Sequence, residues 1–97
     1  MAAPDPSLAT ERCARALECL RSGRIHEARA LLAAALATEP AHGPSLQLLA
    51  ALEERAGDPA AAVRLLELAT RAHPTSAPYW NDLGAVLRLQ GRTHEAL

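Results

Sequence analysis

The chain has 97 residues, which is enough for at most one small domain with a thin core. Its net charge of −1 gives no reason to expect a nucleic acid or an anionic membrane as partner. One tryptophan, one tyrosine and no phenylalanine supply no platform on which bases could stack.

The apolar periodicity and the placement of Gly and Pro predict an all-α chain. Residues 1–6 are expected to be a disordered lead, after which Ser7 caps the first helix. Asp58 caps the fourth helix, and Gly91 is expected to end the fifth. A sixth helix should begin near Arg92, but only six residues remain to build it. The predicted helices cover about 8–21, 24–38, 44–56, 59–73 and 78–90.

Three residue types repeat along the whole chain with one common period. The matching positions are Pro6, Pro40 and Pro74, then Gly23, Gly57 and Gly91, then Ala28, Ala62 and Ala96. A fixed period of about 34 residues indicates helix–turn–helix units stacked side by side. It predicts a binding role but does not name the partner.

The third unit carries the most distinctive motif in the chain. It reads Trp80-x2-Leu83-Gly84-x2-Leu87-x3-Gly91-x4-Ala96. With this motif the chain resembles the tetratricopeptide repeat family, with leucine where the family has tyrosine. The resemblance implies an all-α fold of antiparallel helix–turn–helix repeats stacked as a right-handed solenoid. The repeat domain would cover residues 7–97, in units of about 9–42, 43–76 and a truncated 77–97. Trp80, Leu83, Gly84 and Leu87 are expected to point inward, although most of the helix that should cover them is missing.

Two units depart from the family pattern. Glu53 occupies a place for a large residue in the second unit, and Arg12 and Arg15 occupy apolar places in the first. The apolar spacing of the first helix lies one residue later, at Cys13, Ala16, Leu17 and Leu20. Either that helix is rotated, or a turn is shifted by one residue, or the two arginines face water at the open end of the stack.

The resemblance implies a concave groove lined by the first helix of each unit. The candidate partner-binding residues are Gln47, Leu48, Arg55, Asn81, Asp82 and Arg88, with Cys13, Ala14, Leu17, Leu20, Ala51 and Ala85 beside them. Gln47 and Asn81 are one period apart, so their amides should repeat along the groove and suit capture of a peptide backbone. Arg55 and Arg88 are candidates to hold a carboxylate by paired N–H bonds, whereas Asp82 opposes such a ligand and could pair with Arg88. The alternative is that these exposed polar side chains are solvated.

The sequence therefore predicts a protein–protein interaction scaffold that binds a peptide segment or a partner subunit. It contains no catalytic constellation, and we expect no enzyme activity, cofactor or metal in these residues. The alternative is the N-terminal substrate-docking region of a larger bacterial transferase, an O-GlcNAc-type glycosyltransferase or a sulfotransferase, with its catalytic domain beyond Leu97. A third alternative is self-association through the open face of the fifth helix. The truncated third unit also predicts that the chain is the N-terminal part of a longer protein.

The cysteines and the N-terminal sequence give an expectation for the cellular compartment of the protein. The first residues show neither the basic nor the apolar region of a secretory signal, and no apolar run approaches the ~18 residues of a membrane span. Cys13 and Cys19 point in different directions on one predicted helix, so we expect two free thiols and a cytoplasmic protein. All ten basic residues are arginine, which is typical of a GC-rich, bacterial genome.

Overall fold

Five α-helices follow one another in the computed structural model, which describes the backbone of residues 7–96 and the side chains of residues 7–91. The helices are α1 (Leu8–Arg21), α2 (Ile25–Thr38), α3 (Gly43–Arg55), α4 (Pro59–Ala72) and α5 (Ala77–Ala96). Residues 7–96 contain no strand, which confirms the predicted all-α fold. The predicted lead over residues 1–6 lies outside the described residues.

Capping side chains and glycines set the helix ends. Ser7 caps α1, because its Oγ accepts a hydrogen bond from the backbone N–H three residues later at 3.1 Å. Asp58 caps α4 in the same way through Oδ1, also at 3.1 Å, and each such cap stabilises its helix by about 1 kcal/mol. After α1 and α3 the chain turns at Gly23 and Gly57, whose φ angles are 77° and 87°. Only glycine adopts this left-handed conformation without a steric penalty, so both turns depend on it.

The prediction that Gly91 ends the fifth helix is wrong. α5 continues to Ala96, and Gly91 lacks the positive φ of the two turn glycines. A separate helix from Arg92 would have to pass its own unfavourable nucleation step. Continuing α5 instead adds a backbone hydrogen bond for each residue.

The helices pack as successive pairs. α1 contacts α2, α3 contacts α4, and turns of only three residues join the partners, so the paired helices run antiparallel. Further contacts of α2 with α3 and of α4 with α5 join the pairs into a body of 57 × 32 × 20 Å. α1 also contacts α3, and α3 contacts α5. The first helices of the three units therefore form one continuous side of the molecule.

The core repeats with the sequence period. One buried cluster joins the first unit to α3, and another joins the second unit to α5. Buried residues one period apart are Ala28 with Ala62, Leu32 with Leu66 and Ala35 with Ala69. The alanines on either side of each leucine let the paired helices approach closely. The small–large–small pattern of α2 and α4 is therefore a packing pattern.

α1 keeps the phase of the later units. Ala16 is buried like Ala50, one period later, whereas Leu17 of the displaced apolar pattern is 41% exposed. A rotation or a one-residue shift would bury Leu17 instead, so those two alternatives are wrong. Arg15 is exposed, and Arg12 is half-buried with its Nη1 donating to a backbone carbonyl of α2 at 3.0 Å. The remaining alternative, that the two arginines face water at the open end of the stack, holds for Arg15 and is wrong for Arg12, which packs against α2.

The apolar face of α5 is only partly covered. Leu83 is buried as predicted. Trp80 and Leu87 are 50% and 47% exposed, so they do not lie in a core, which agrees with the expectation that most of the helix that should cover them is missing. In the earlier units the second helix packs on this face, and it has no counterpart within residues 77–96. Val86 is buried instead, against the second unit. The Trp80 indole N–H donates to the carbonyl of Pro74 at 2.8 Å.

Tyr79 places α5 against the start of α3. A Cβ on Gly43 would lie 2.7 Å from two ring carbons of Tyr79, so the ring packs directly on a glycine backbone. His73 meets the same ring edge-on with the centroids 5.7 Å apart, and its Nε2 donates to the carbonyl oxygen of Ala41 at 2.7 Å. These contacts fix the first turns of α3 and α5 relative to each other.

Candidate peptide-binding groove

A groove of about 570 Å³ lies on the side formed by α1, α3 and α5. Leu66 of α4 and Val86 of α5 are buried and form part of its floor. Leu17 and Leu48 stand in its walls, and both retain solvent-exposed surface. The groove is thus an open apolar surface with a volume in the range of small-ligand sites, about 300–1,000 Å³.

The structure brings half of the candidate residues together in this groove. Those in the lining are Gln47, Leu48 and Asp82, and those outside it are Arg55, Asn81 and Arg88. Of the accompanying residues, Cys13, Ala14, Leu17, Ala51 and Ala85 line the groove and Leu20 does not. The apolar candidates and the central polar pair are therefore adjacent, whereas both candidate arginines lie elsewhere on the surface.

The position of each side chain relative to the next unit explains this division. Gln47 on α3 faces α5, and its Nε2 donates to Oδ2 of Asp82 at 2.6 Å. Asn81 holds the same place one unit later, but residues 7–96 include no further first helix beyond α5 that could form the opposite wall. Arg88 Nη1 comes within 3.6 Å of a Cβ built on Gly84, so this side chain lies back along its own helix. Within the described groove the amides do not repeat, and Asp82 pairs with Gln47.

The groove also contains polar residues that the sequence analysis missed, namely Thr10, His42 and Glu54. His42 links two units, since its Nδ1 lies 2.7 Å from Ser45 Oγ and its Nε2 lies 3.3 Å from Thr10 Oγ1. Thr10 and Pro44 both line the groove and are one period apart, so the period could have found them. Glu54 shares a repeat position with Leu20 and Arg88, so the period could have found it too, whereas His42 carries no comparable signal in the sequence.

The two thiols lie in different surroundings. Cys13 is half-buried in the groove lining, whereas Cys19 is only 6% exposed. Burial raises the pKa of the Cys19 thiol, and its hydrogen bond to Glu27 Oε2, 3.3 Å away, raises the pKa further. Cys19 is therefore held as an unreactive thiol. Burial also raises the pKa of the Tyr79 phenol.

The described side chains offer no ready metal centre. Among residues 7–91, no group of three His, Cys, Asp or Glu side chains is placed to hold a metal ion. His42, the histidine in the groove lining, has serine and threonine hydroxyls as neighbours. The same part of the chain has no helix long and apolar enough to cross a membrane.

Comparison with known sequences identifies the architecture. A sequence profile described as tetratricopeptide repeat matches residues 20–87, more than half of the chain. The chain belongs to the tetratricopeptide repeat family. Human tetratricopeptide repeat protein 7B is 38% identical to it over 69 residues, which are 71% of this chain and 8% of the relative. The match therefore spans less than a tenth of that protein's length.

An ion pair accounts for the unusual glutamate of the second tetratricopeptide repeat. Arg29 of the first repeat donates through Nη1 to Oε1 of Glu53, and its Nη2 lies 3.5 Å from the carbonyl oxygen of Leu52. The side chains of Arg29 and Glu53 are 34% and 17% exposed. A polar contact between neighbouring repeats thus occupies the place where the family pattern has a large residue.

Proposed function

We propose that this chain binds a peptide segment of a partner protein in the groove formed by α1, α3 and α5. Tetratricopeptide repeats form protein–protein interaction scaffolds, and this chain has that fold. The observation that carries the narrower proposal is the open apolar lining shared by three units, with Leu17 and Leu48 left partly exposed. Accessible apolar surface of this kind is typical of a partner-binding site.

Such binding needs no chemistry on the ligand. Each aliphatic ligand side chain buried in the groove would contribute about 1.5–3 kcal/mol. The preformed helices limit the conformational entropy lost on binding. Gln47 donates one N–H to Asp82 and keeps a carbonyl oxygen that can accept a hydrogen bond from a ligand backbone.

Peptide selection against two tryptophan variants tests the proposal. Ala51 is exposed and lines the groove, so Ala51→Trp fills the groove without entering the core. Ala60→Trp adds the same side chain at an exposed position of α4 outside the lining, and is the matched control. Peptides selected on the unmodified chain should lose about tenfold or more in affinity for Ala51→Trp and none for Ala60→Trp. Equal affinity for both variants, with helicity intact by circular dichroism, would show that the groove is not the binding site.

The docking region of a bacterial transferase stays a prediction about residues outside this chain. Cytoplasmic location and self-association through α5 also stay predictions. In the transferase alternative the same groove would hold the substrate protein, so Ala51→Trp would reduce substrate binding there as well, and Ala60→Trp would not.

A further inference from the structure

The charged side chains in the groove lining are acidic. Asp82 is half-buried beside Gln47, and Glu54 stands exposed on the wall formed by α3. The part of the lining that the structure describes contains no arginine. We propose that the groove binds a cationic, apolar peptide segment, in which an arginine or lysine adjoins a large aliphatic side chain. This inference rests on the proposed function and specifies the chemistry of the partner.

Asp82 is held in position to accept a hydrogen bond from a ligand cation. The Gln47 amide contacts its Oδ2 at 2.6 Å and so fixes the carboxylate between α3 and α5. A carboxylate offers about four acceptor positions on its two oxygens, so one donor does not exhaust it. Because Asp82 is half-buried and lies next to apolar surface, a cation there is attracted more strongly than in bulk water.

The apolar part of the segment has its own space. Ala14, Ala51 and Ala85, one from each first helix, line the groove with side chains no larger than a methyl group. Leu17 and Leu48 provide the apolar contact surface beside them. An aliphatic ligand side chain would remove the exposed part of both leucines from water together with its own surface, which favours binding.

An anionic segment is disfavoured at the same place. Arg55 and Arg88, the candidates for holding a carboxylate, lie outside the lining. A ligand carboxylate in the groove would therefore meet Asp82 and Glu54, and repulsion would oppose it. The charge distribution thus selects between two kinds of peptide that the apolar surface alone would accept equally.

Three matched peptides test the charge preference. They share one leucine-containing sequence and differ at a single position next to the leucine, which is arginine, glutamine or glutamate. Calorimetry at low ionic strength should show the arginine peptide binding about tenfold more tightly than the glutamate peptide, with glutamine between them. An attractive pair and a repulsive pair at a partly exposed site each change affinity by a few-fold. Added salt should reduce the ratio.

Single substitutions assign the preference to the groove acids. Asp82→Asn keeps an oxygen for Gln47 but removes the charge, so the tenfold ratio should fall to a few-fold at most. Glu54→Gln should also lower the ratio, and because Glu54 is exposed it remains informative if Asp82→Asn alters the fold. Glu18→Gln, at an exposed position of α1 outside the lining, should leave the ratio unchanged.

Alkylation of Cys13 reports whether a peptide occupies the groove. Cys13 lines the groove, whereas Cys19 is buried and serves as the internal reference. Protection of Cys13 with equal affinity for the three peptides would overturn the charge preference and leave the groove as a binding site. No binding and no protection by any of the three would also overturn it, and the tryptophan variants would then decide the proposed function separately.

Discussion

Breaking the Arg29–Glu53 ion pair should weaken the coupling between the first two repeats. Arg29 lies on α2 and Glu53 on α3, and these helices contact each other across the boundary between units. Arg29→Ala leaves the Glu53 carboxylate, whose side chain is 17% exposed, without its guanidinium donor. The cost is therefore the loss of the pair together with an unsatisfied, mostly buried charge.

The loss of stability expected for Arg29→Ala lies between the values typical of an exposed and of a buried ion pair. Exposed ion pairs contribute about 0.2–1 kcal/mol, and breaking a fully buried pair costs about 3–5 kcal/mol. Glu53 is mostly buried and Arg29 is one-third exposed, so we expect Arg29→Ala to cost about 2 kcal/mol. In a domain of this size that lowers Tm by roughly 8–16 °C. The double change Arg29→Met with Glu53→Leu should be neutral within about 1 kcal/mol, because an apolar pair replaces the ionic one.

Urea unfolding followed by circular dichroism measures these costs, and a double-mutant cycle of Arg29→Ala and Glu53→Ala gives the coupling energy of the pair. The control pair is Glu67 with Arg71 on α4, which lie 3.6 Å apart with side chains 46% and 75% exposed. Its coupling energy should be about 0.5 kcal/mol or less. A coupling energy between Arg29 and Glu53 no larger than that of the control pair would refute the argument from burial.

Substitutions at three glycines give the further predictions. Gly57→Ala should destabilise the chain by about 1 kcal/mol, because Gly57 has a φ of 87°. Gly91→Ala should stabilise it by about 0.5–1 kcal/mol, because Gly91 lies inside α5 and a Cβ added there would meet no neighbouring atom within 4 Å. Thermal melts compare the two, and a loss of stability in Gly91→Ala would contradict a continuous α5. Gly43→Ala should cost about 1–3 kcal/mol, because its Cβ would overlap the Tyr79 ring. Adding Tyr79→Ala should recover part of that cost in urea titrations. If the destabilisations caused by Gly43→Ala and Tyr79→Ala simply add in the double variant, overlap with the ring is ruled out as the cause of the Gly43→Ala effect.

Local sequence was sufficient for most helix ends. The caps at Ser7 and Asp58 involve a backbone N–H only three residues away, and the turns at Gly23 and Gly57 depend on one residue's φ. Gly91 was predicted wrongly because a glycine permits a helix-ending turn without requiring one, and within residues 77–96 no second helix packs back on α5. That condition concerns tertiary contacts, which the residues around Gly91 do not encode.

Only part of the candidate site was predicted correctly, for a related reason. The period correctly grouped Gln47, Leu48 and Asp82 with the first helices, which share one side of the molecule. It also grouped Asn81 and Arg88 with them, but repeat position does not say whether a neighbouring unit supplies the opposite wall. α5 forms the wall opposite α3. Within the described residues no helix forms such a wall on the outer side of α5.

The spacing of residues along the chain was enough to establish the helix pairs, their regular repeat and the buried face of α4. These features depend on periodicity, which can be read without coordinates. Three-dimensional packing was needed to establish that Glu53 pairs with Arg29 and that Asp82 pairs with Gln47 in the groove. The partners in these two contacts are 24 and 35 positions apart, and neither distance follows from the repeat. The surfaces left open, including Trp80 on α5, likewise depend on which helices are present to cover them.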